Sequence, residues 1–144
     1  MNFVTHLECA DCAKRYPAGQ PHNLCTDCHR PLWVCYDLDR VREQFPCESL
    51  AGRPGDLWRY RELLPYADAA NVVSLGETAT PILSASRLGS ELGLANLQIK
   101  DESRLPTGSF KARGMAMAIT MANEFSIRRV ACPTAGNAGG AMAA

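Results

Sequence analysis

Apolar residues recur at three- and four-residue intervals through Phe110, Gly114, Met117, Ala118, Met121, Ala122 and Phe125. That period predicts an amphipathic helix with Lys111 in its first turn and these residues on its packed face. Just before it, Leu97-Gln98-Ile99-Lys100 alternates between apolar and polar, which predicts a strand. Downstream, Arg128-Arg-Val-Ala-Cys-Pro-Thr-Ala135 reads as a short buried strand, and Gly136-Asn137-Ala138-Gly139-Gly140 then opens a helix through the following alanines and Met142. In Leu75-Gly-Glu-Thr-Ala-Thr-Pro-Ile-Leu83 the Thr80-Pro81 pair sets a turn into an edge strand, since proline forces the residue before it away from helix. Residues 72–144 therefore follow the order strand, helix, strand, helix of an α/β domain. Strands at 97–100 and 130–133 are expected in one parallel sheet, with Lys111 and Asn137 near their carboxyl ends and facing one cleft.

The segment 37–71 mixes charges with Arg53-Pro-Gly-Asp56 and Trp58-Arg-Tyr-Arg-Glu-Leu-Leu-Pro65, and reads as a connecting loop followed by a short helix. Trp58, Tyr60 and Tyr66 are expected to pack rather than bind, because aromatic rings supply most of the buried area in so short an element. Lysine plus arginine and aspartate plus glutamate both number 15, so no net field exists to attract nucleic acid. The longest apolar stretch, Gly114 to Ala122, is broken by Thr120 and falls short of the roughly 20 residues a bilayer requires, so no membrane partner is expected. The chain opens without a signal peptide, which places the expected location in the cytoplasm.

Cysteine supplies the next constraint. Cys9-Ala-Asp-Cys12 and Cys25-Thr-Asp-Cys28 are two Cys-x-x-Cys knuckles separated by twelve residues, with Pro17-Ala-Gly-Gln-Pro21 as the turn between them. Two such knuckles offer four thiolates to one tetrahedral structural zinc, so residues 1–36 read as a zinc-ribbon-like segment with Cys9, Cys12, Cys25 and Cys28 as ligands. Two disulfides or a redox pair are the competing reading, disfavoured by the reducing compartment. His6, His22 and His29 flank the knuckles and would substitute only if one cysteine were unused. Cys35, Cys47 and Cys132 have no partner at knuckle spacing and read as small apolar fillers.

Lys111 carries the sharpest chemistry. A free lysine amine, with a pKa of about 10.4, is almost wholly protonated at neutral pH and a poor nucleophile. Burial and the positive end of a helix dipole both disfavour the ammonium, and a lysine opening an apolar helix after Pro106-Thr107-Gly108 is exposed to both. A solvated lysine at a helix start is the bland alternative. The strand, glycine turn and helix around Asn137 are likewise how α/β proteins build anion sites from backbone N–H groups, although the glycine spacing is not the dinucleotide fingerprint. Taken alone, Asn137 reads more readily as an asparagine helix cap beside a tight turn.

Together these segments resemble the fold-type II pyridoxal-phosphate enzymes, and within them the threonine synthase family. Lys100-Asp-Glu-Ser-Arg-Leu-Pro-Thr-Gly-Ser-Phe-Lys-Ala-Arg-Gly114 matches the cofactor-lysine motif, Leu75–Leu83 the Leu-Gly-Glu entry strand, 134–140 the asparagine loop, and Trp58-Arg-Tyr60 a segment just ahead of the entry strand. Thr78 stands in place of a usual glycine, and Ala112 where many members have aspartate. The resemblance implies the amino-terminal part of a doubly wound open sheet over 72–144. It also implies pyridoxal 5'-phosphate held covalently on Lys111, with its phenolic oxygen bonded by Asn137. The substrate carboxylate would rest on the loop Thr134, Ala135, Gly136, Asn137 and Ala138. The implied reaction converts O-phosphohomoserine and water to threonine and phosphate. The family's phosphate-binding glycine loop would lie past Ala144, so the sequence is expected to be an incomplete front part, inactive alone and a possible homodimer at full length. A threonine or serine dehydratase, a cysteate synthase and a non-enzymatic zinc-ribbon module are the rivals.

Overall fold

A computed structural model describes residues 2–144, which divide into two compact units. The first gathers the chain up to Pro54, Trp58–Val72 and Thr120–Arg129; the second gathers Gly55–Leu57, Val73–Ile119 and Val130–Ala144.

The first unit is built on a three-stranded antiparallel sheet. Strand β1 (Val4–Cys9) lies between β2 (Arg15–Tyr16) and β3 (Leu32–Tyr36), with Leu7 opposite both Tyr16 and Val34. Cys9, Tyr16 and Cys25 form its small buried core, flanked by Leu7, Cys28 and Leu32. Helix α1 (Leu38–Gln44) begins where the Asp37 carboxylate accepts from the Arg40 N–H at 3.0 Å. The expected loop over this stretch is thus partly helical, because a capping aspartate compensates for a helix that buries none of its residues. Three 3-10 helical turns follow at Cys47–Leu50, Leu57–Leu63 and Ala69–Asn71. Arg53 binds both oxygens of Glu62, at 2.7 and 2.8 Å, and the Arg59 carbonyl at 2.6 Å. The rings of Trp58 and Tyr66 meet edge to face at 5.5 Å, in keeping with a packing role. Tyr60 is exposed. Cys47 is exposed on its surface turn, which corrects its reading as an apolar filler.

In the second unit, β4 (Ile82–Ser84) pairs antiparallel with β5 (Gln98–Lys100), and α2 (Ser86–Leu92) connects them, closed by Gly93 at φ 69°. Glu77 is fully buried, and its carboxylate accepts from the Ser74 hydroxyl and the Leu75 N–H, both at 2.7 Å. That arrangement satisfies a charge that would otherwise be costly to bury, and fixes the turn leading to β4. Helix α4 (Asn137–Ala143) and the Lys111–Ile119 part of helix α3 (Lys111–Glu124) complete this unit, the rest of α3 belonging to the first.

Two expectations are corrected here. The strand at 97–100 exists as β5, but its partner is antiparallel, and residues 128–135 form no strand. Backbone at 130–133 finds no ladder among the described residues and Val130 is 49% exposed, so nothing holds it extended as a sheet member. Helix α3 forms as its period predicts and buries the expected Ala122, but the rest of its buried stripe is Ala112, Ala116 and Thr120, while Phe110, Gly114 and Ala118 are exposed. Residues at four-residue spacing share one helix face, and a helix rich in alanine and methionine offers apolar side chains on several faces, so the period alone did not single this one out.

Candidate functional site

The two cysteine knuckles have the same backbone design. In the first, the Ala13 N–H donates to the Cys9 carbonyl at 3.3 Å and the Cys9 N–H to the Lys14 carbonyl at 2.9 Å. In the second, the His29 N–H donates to the Cys25 carbonyl at 3.0 Å and the Cys25 N–H to the Arg30 carbonyl at 2.9 Å. Ala13 and His29, each four residues past its knuckle's first cysteine, take left-handed backbone at φ 58° and 57°. The repeated turn swings both sulfurs of a pair to one side.

All four sulfurs lie within 4.8 Å of one another, with Cys9–Cys28 at 3.4 Å, Cys12–Cys25 at 3.5 Å and Cys12–Cys28 at 3.7 Å. A tetrahedron of thiolates about ~2.3 Å from zinc would have edges of ~3.8 Å, so the donor set matches a metal ion in both number and spacing. These separations are too long for S–S bonds, and all seven cysteines are free thiols. The Asp11 and Cys12 N–H groups point at the Cys9 sulfur at 3.4 Å. The Tyr16 hydroxyl donates to the Cys25 sulfur at 3.2 Å, holding that thiol down at about 6, while burial pushes the Cys28 thiol up to about 12. His6 contacts Glu8, and His22 contacts the Pro17 carbonyl and the Tyr16 ring; no histidine joins the group of four.

Lys111 is the first residue of α3. Ahead of it, Thr107 and Gly108 take consecutive left-handed conformations, at φ 65° and 69°, which reverse the chain into the helix. A threonine there is strained by roughly 1–3 kcal/mol, a cost that concentrates at functional sites. The Lys111 ammonium sits over the neighbouring Phe110 ring, 4.6 Å from its centre, and makes no hydrogen bond or ion pair among the described residues. Two residues back, the Ser109 hydroxyl is buried without a partner.

Asn137 is the first residue of α4, exposed, and its carboxamide likewise has no partner among the described residues. The loop before it is shaped by Thr134, whose hydroxyl oxygen accepts from the Gly136 and Gly139 N–H groups at 3.0 Å each. A Cβ on Gly139 would stand 2.6 Å from the Thr134 Cγ2, so only glycine admits that closeness. Helix α4 packs on the Pro106–Gly108 turn that precedes Lys111. The two helix starts therefore share one neighbourhood. An amine and a carboxamide lacking polar partners, a buried orphan hydroxyl, and the backbone N–H groups of Ala135, Asn137 and Ala138 form a donor set suited to an anionic, aldehyde-bearing cofactor.

The model of the pyridoxal-phosphate dependent enzymes matches residues 73–144. The chain belongs to that family. Membership in it implies pyridoxal phosphate as the cofactor. The chain is 38% identical over 136 residues to the threonine synthase of Methanocaldococcus jannaschii, covering 94% of this sequence and 33% of that protein. It is 34% identical over 138 residues to the threonine synthase of Methanosarcina acetivorans, covering 96% and 33%. The threonine synthase of Mycobacterium tuberculosis is 41% identical over 91 residues, covering 63% and 25%. The chain thus spans about a third of the length of the first two of these relatives. Both archaeal likenesses cover enough of this sequence to reach into the cysteine knuckles as well as the family region.

One ion pair close to Lys111 in sequence is absent from the sequence expectations: Arg113 binds Glu102 and the Thr78 carbonyl. The available signal was a cation in the first turn of a helix, where the dipole disfavours it unless a carboxylate is near.

Proposed function

We propose that this chain is the cofactor-lysine part of a threonine synthase, acting on O-phosphohomoserine. The observation that carries the reading is the Lys111 amine, free of polar partners at the head of α3 and beside the start of α4. Pyridoxal phosphate, when bound, supplies an electron sink for charge that develops on substrate carbon. Lys111 would hold the cofactor through its amine and would move protons between substrate carbon and solvent. Asn137 donates its carboxamide to the phenolic oxygen and so orients the ring. In the loop Thr134 to Ala138, the Gly136 amide is already occupied by Thr134, which leaves Ala135, Asn137 and Ala138 to receive the substrate carboxylate. Residues 72–144 act as the start of the catalytic domain, 37–71 as a connector, and 1–36 as a structural zinc module in which Cys9, Cys12, Cys25 and Cys28 close the coordination shell. The setting is a cytoplasmic, small-molecule enzyme that pairs with a second copy at full length.

Ala112 supports a second reading within the family, a threonine or serine dehydratase, because it is fully buried where many threonine synthases carry aspartate. The test is turnover by a protein of the relatives' length carrying this sequence. Phosphate release from O-phosphohomoserine supports the synthase. Ammonia release from threonine without phosphate release moves the assignment to the dehydratase.

A further inference from the structure

Arg113 lies in the first turn of α3, where the helix dipole opposes a cation. Its Nε donates to Glu102 Oε2 at 2.9 Å, and its Nη2 donates to Glu102 Oε1 at 3.3 Å and to the Thr78 carbonyl at 2.9 Å. Glu102 also accepts from the Thr80 hydroxyl. The Lys100 ammonium is 3.6 Å from the same carboxylate and donates to the Thr80 carbonyl at 3.3 Å. Residues 78–80, 100–102 and the first turn of α3 thus converge on one carboxylate. Both Arg113 and Glu102 side chains are only 24% exposed. Successive helical residues turn by ~100°, so Arg113 projects roughly 200° from Lys111 and holds the helix from behind, leaving the lysine side open. The Lys111 ammonium lies over the Phe110 ring and has no hydrogen bond or ion pair among the described residues. Its direction is therefore decided by where the helix begins.

We propose that Glu102 and Arg113 are positioning residues that aim the Lys111 amine, by fixing the first turn of α3 against the Thr78–Thr80 backbone. The proposal rests on the reading of Lys111 as the cofactor lysine. Arginine is required because its planar fork reaches the carboxylate and a carbonyl at once, which a lysine ammonium on a flexible stem does not reproduce.

The chain's lysines are Lys14, Lys100 and Lys111, and Lys14 lies in the first unit, paired with Asp27 at 2.6 Å. The purified protein is mixed with pyridoxal phosphate, fixed with borohydride, digested, and the modified fraction measured at each lysine by mass spectrometry across pH. In the unaltered protein, Lys111 is expected to be modified about tenfold more than Lys14. In Glu102→Gln and Arg113→Lys that ratio should fall about tenfold, and its pH profile should shift toward that of Lys14, while circular dichroism stays unchanged. Folded variants with the original ratio and profile would overturn the positioning role. Loss of circular dichroism in both variants would also overturn it, by making the pair a determinant of folding instead. Absence of Lys111 preference in the unaltered protein is a distinct result that removes the lysine assignment itself.

Discussion

At the level of single residues, the site depends on which groups are left without partners and which are fully engaged. The helix starts at Lys111 and Asn137 were legible in the sequence because a turn before an apolar run is a local signal. The Thr134–Gly139 contact was not legible, since it follows from a 2.6 Å approach that no spacing rule encodes. Gly139→Ala is expected to force Thr134 aside and destabilise the loop by about 1–3 kcal/mol, measured as a lower denaturation midpoint with an unchanged slope. Asn137→Ala should weaken cofactor binding by a similar 1–3 kcal/mol, as expected for one hydrogen bond to a charged partner, and equilibrium titration reads it directly.

Among elements, α3 was predicted at almost its observed length, whereas its buried face was predicted only at Ala122. A helix rich in alanine and methionine offers apolar side chains on several faces, so the choice of Ala112, Ala116 and Thr120 depends on what packs nearby. The expected strand at 128–135 fails for a related reason. A parallel strand is defined by distant neighbours, and the two-stranded pairing that does form, β4 with β5, is closed locally through α2. The cysteine knuckles were legible because four cysteines at short spacing repeat one backbone turn twice. If they hold zinc, the purified protein should carry one equivalent of metal. A chelator or Cys25→Ser should then open residues 1–36 to protease, since such sites contribute on the order of 10 kcal/mol to folding. Metal-free protein with the same protease resistance would contradict the zinc assignment.

For the molecule as a whole, each compact unit contains one strong, largely shielded ion pair: Arg53–Glu62 in the first and Arg113–Glu102 in the second. The guanidinium of Arg53 holds the Glu62 carboxyl down at about 2, and that of Arg113 does the same for Glu102, both from an ordinary 4.5. Because these values are depressed in the folded state, the stabilisation is full above pH ~4.5 and is lost as pH falls toward about 2. Glu62→Gln or Glu102→Gln should flatten that acid limb in melting curves recorded from pH 6 to 2. A limb unchanged in both variants would show that other groups control acid unfolding.

The central claim is that Lys111 carries the cofactor, and a spectroscopic titration tests it most directly. Pyridoxal phosphate is added to a protein of the relatives' length that carries this sequence, and the absorbance band near the visible edge is followed for the unaltered form and for Lys111→Ala. The band should saturate at one equivalent per chain in the unaltered protein and be absent in Lys111→Ala, which should still bind the cofactor noncovalently and lose turnover by several orders of magnitude. An undiminished band in Lys111→Ala, or no band in the unaltered protein, would contradict the account.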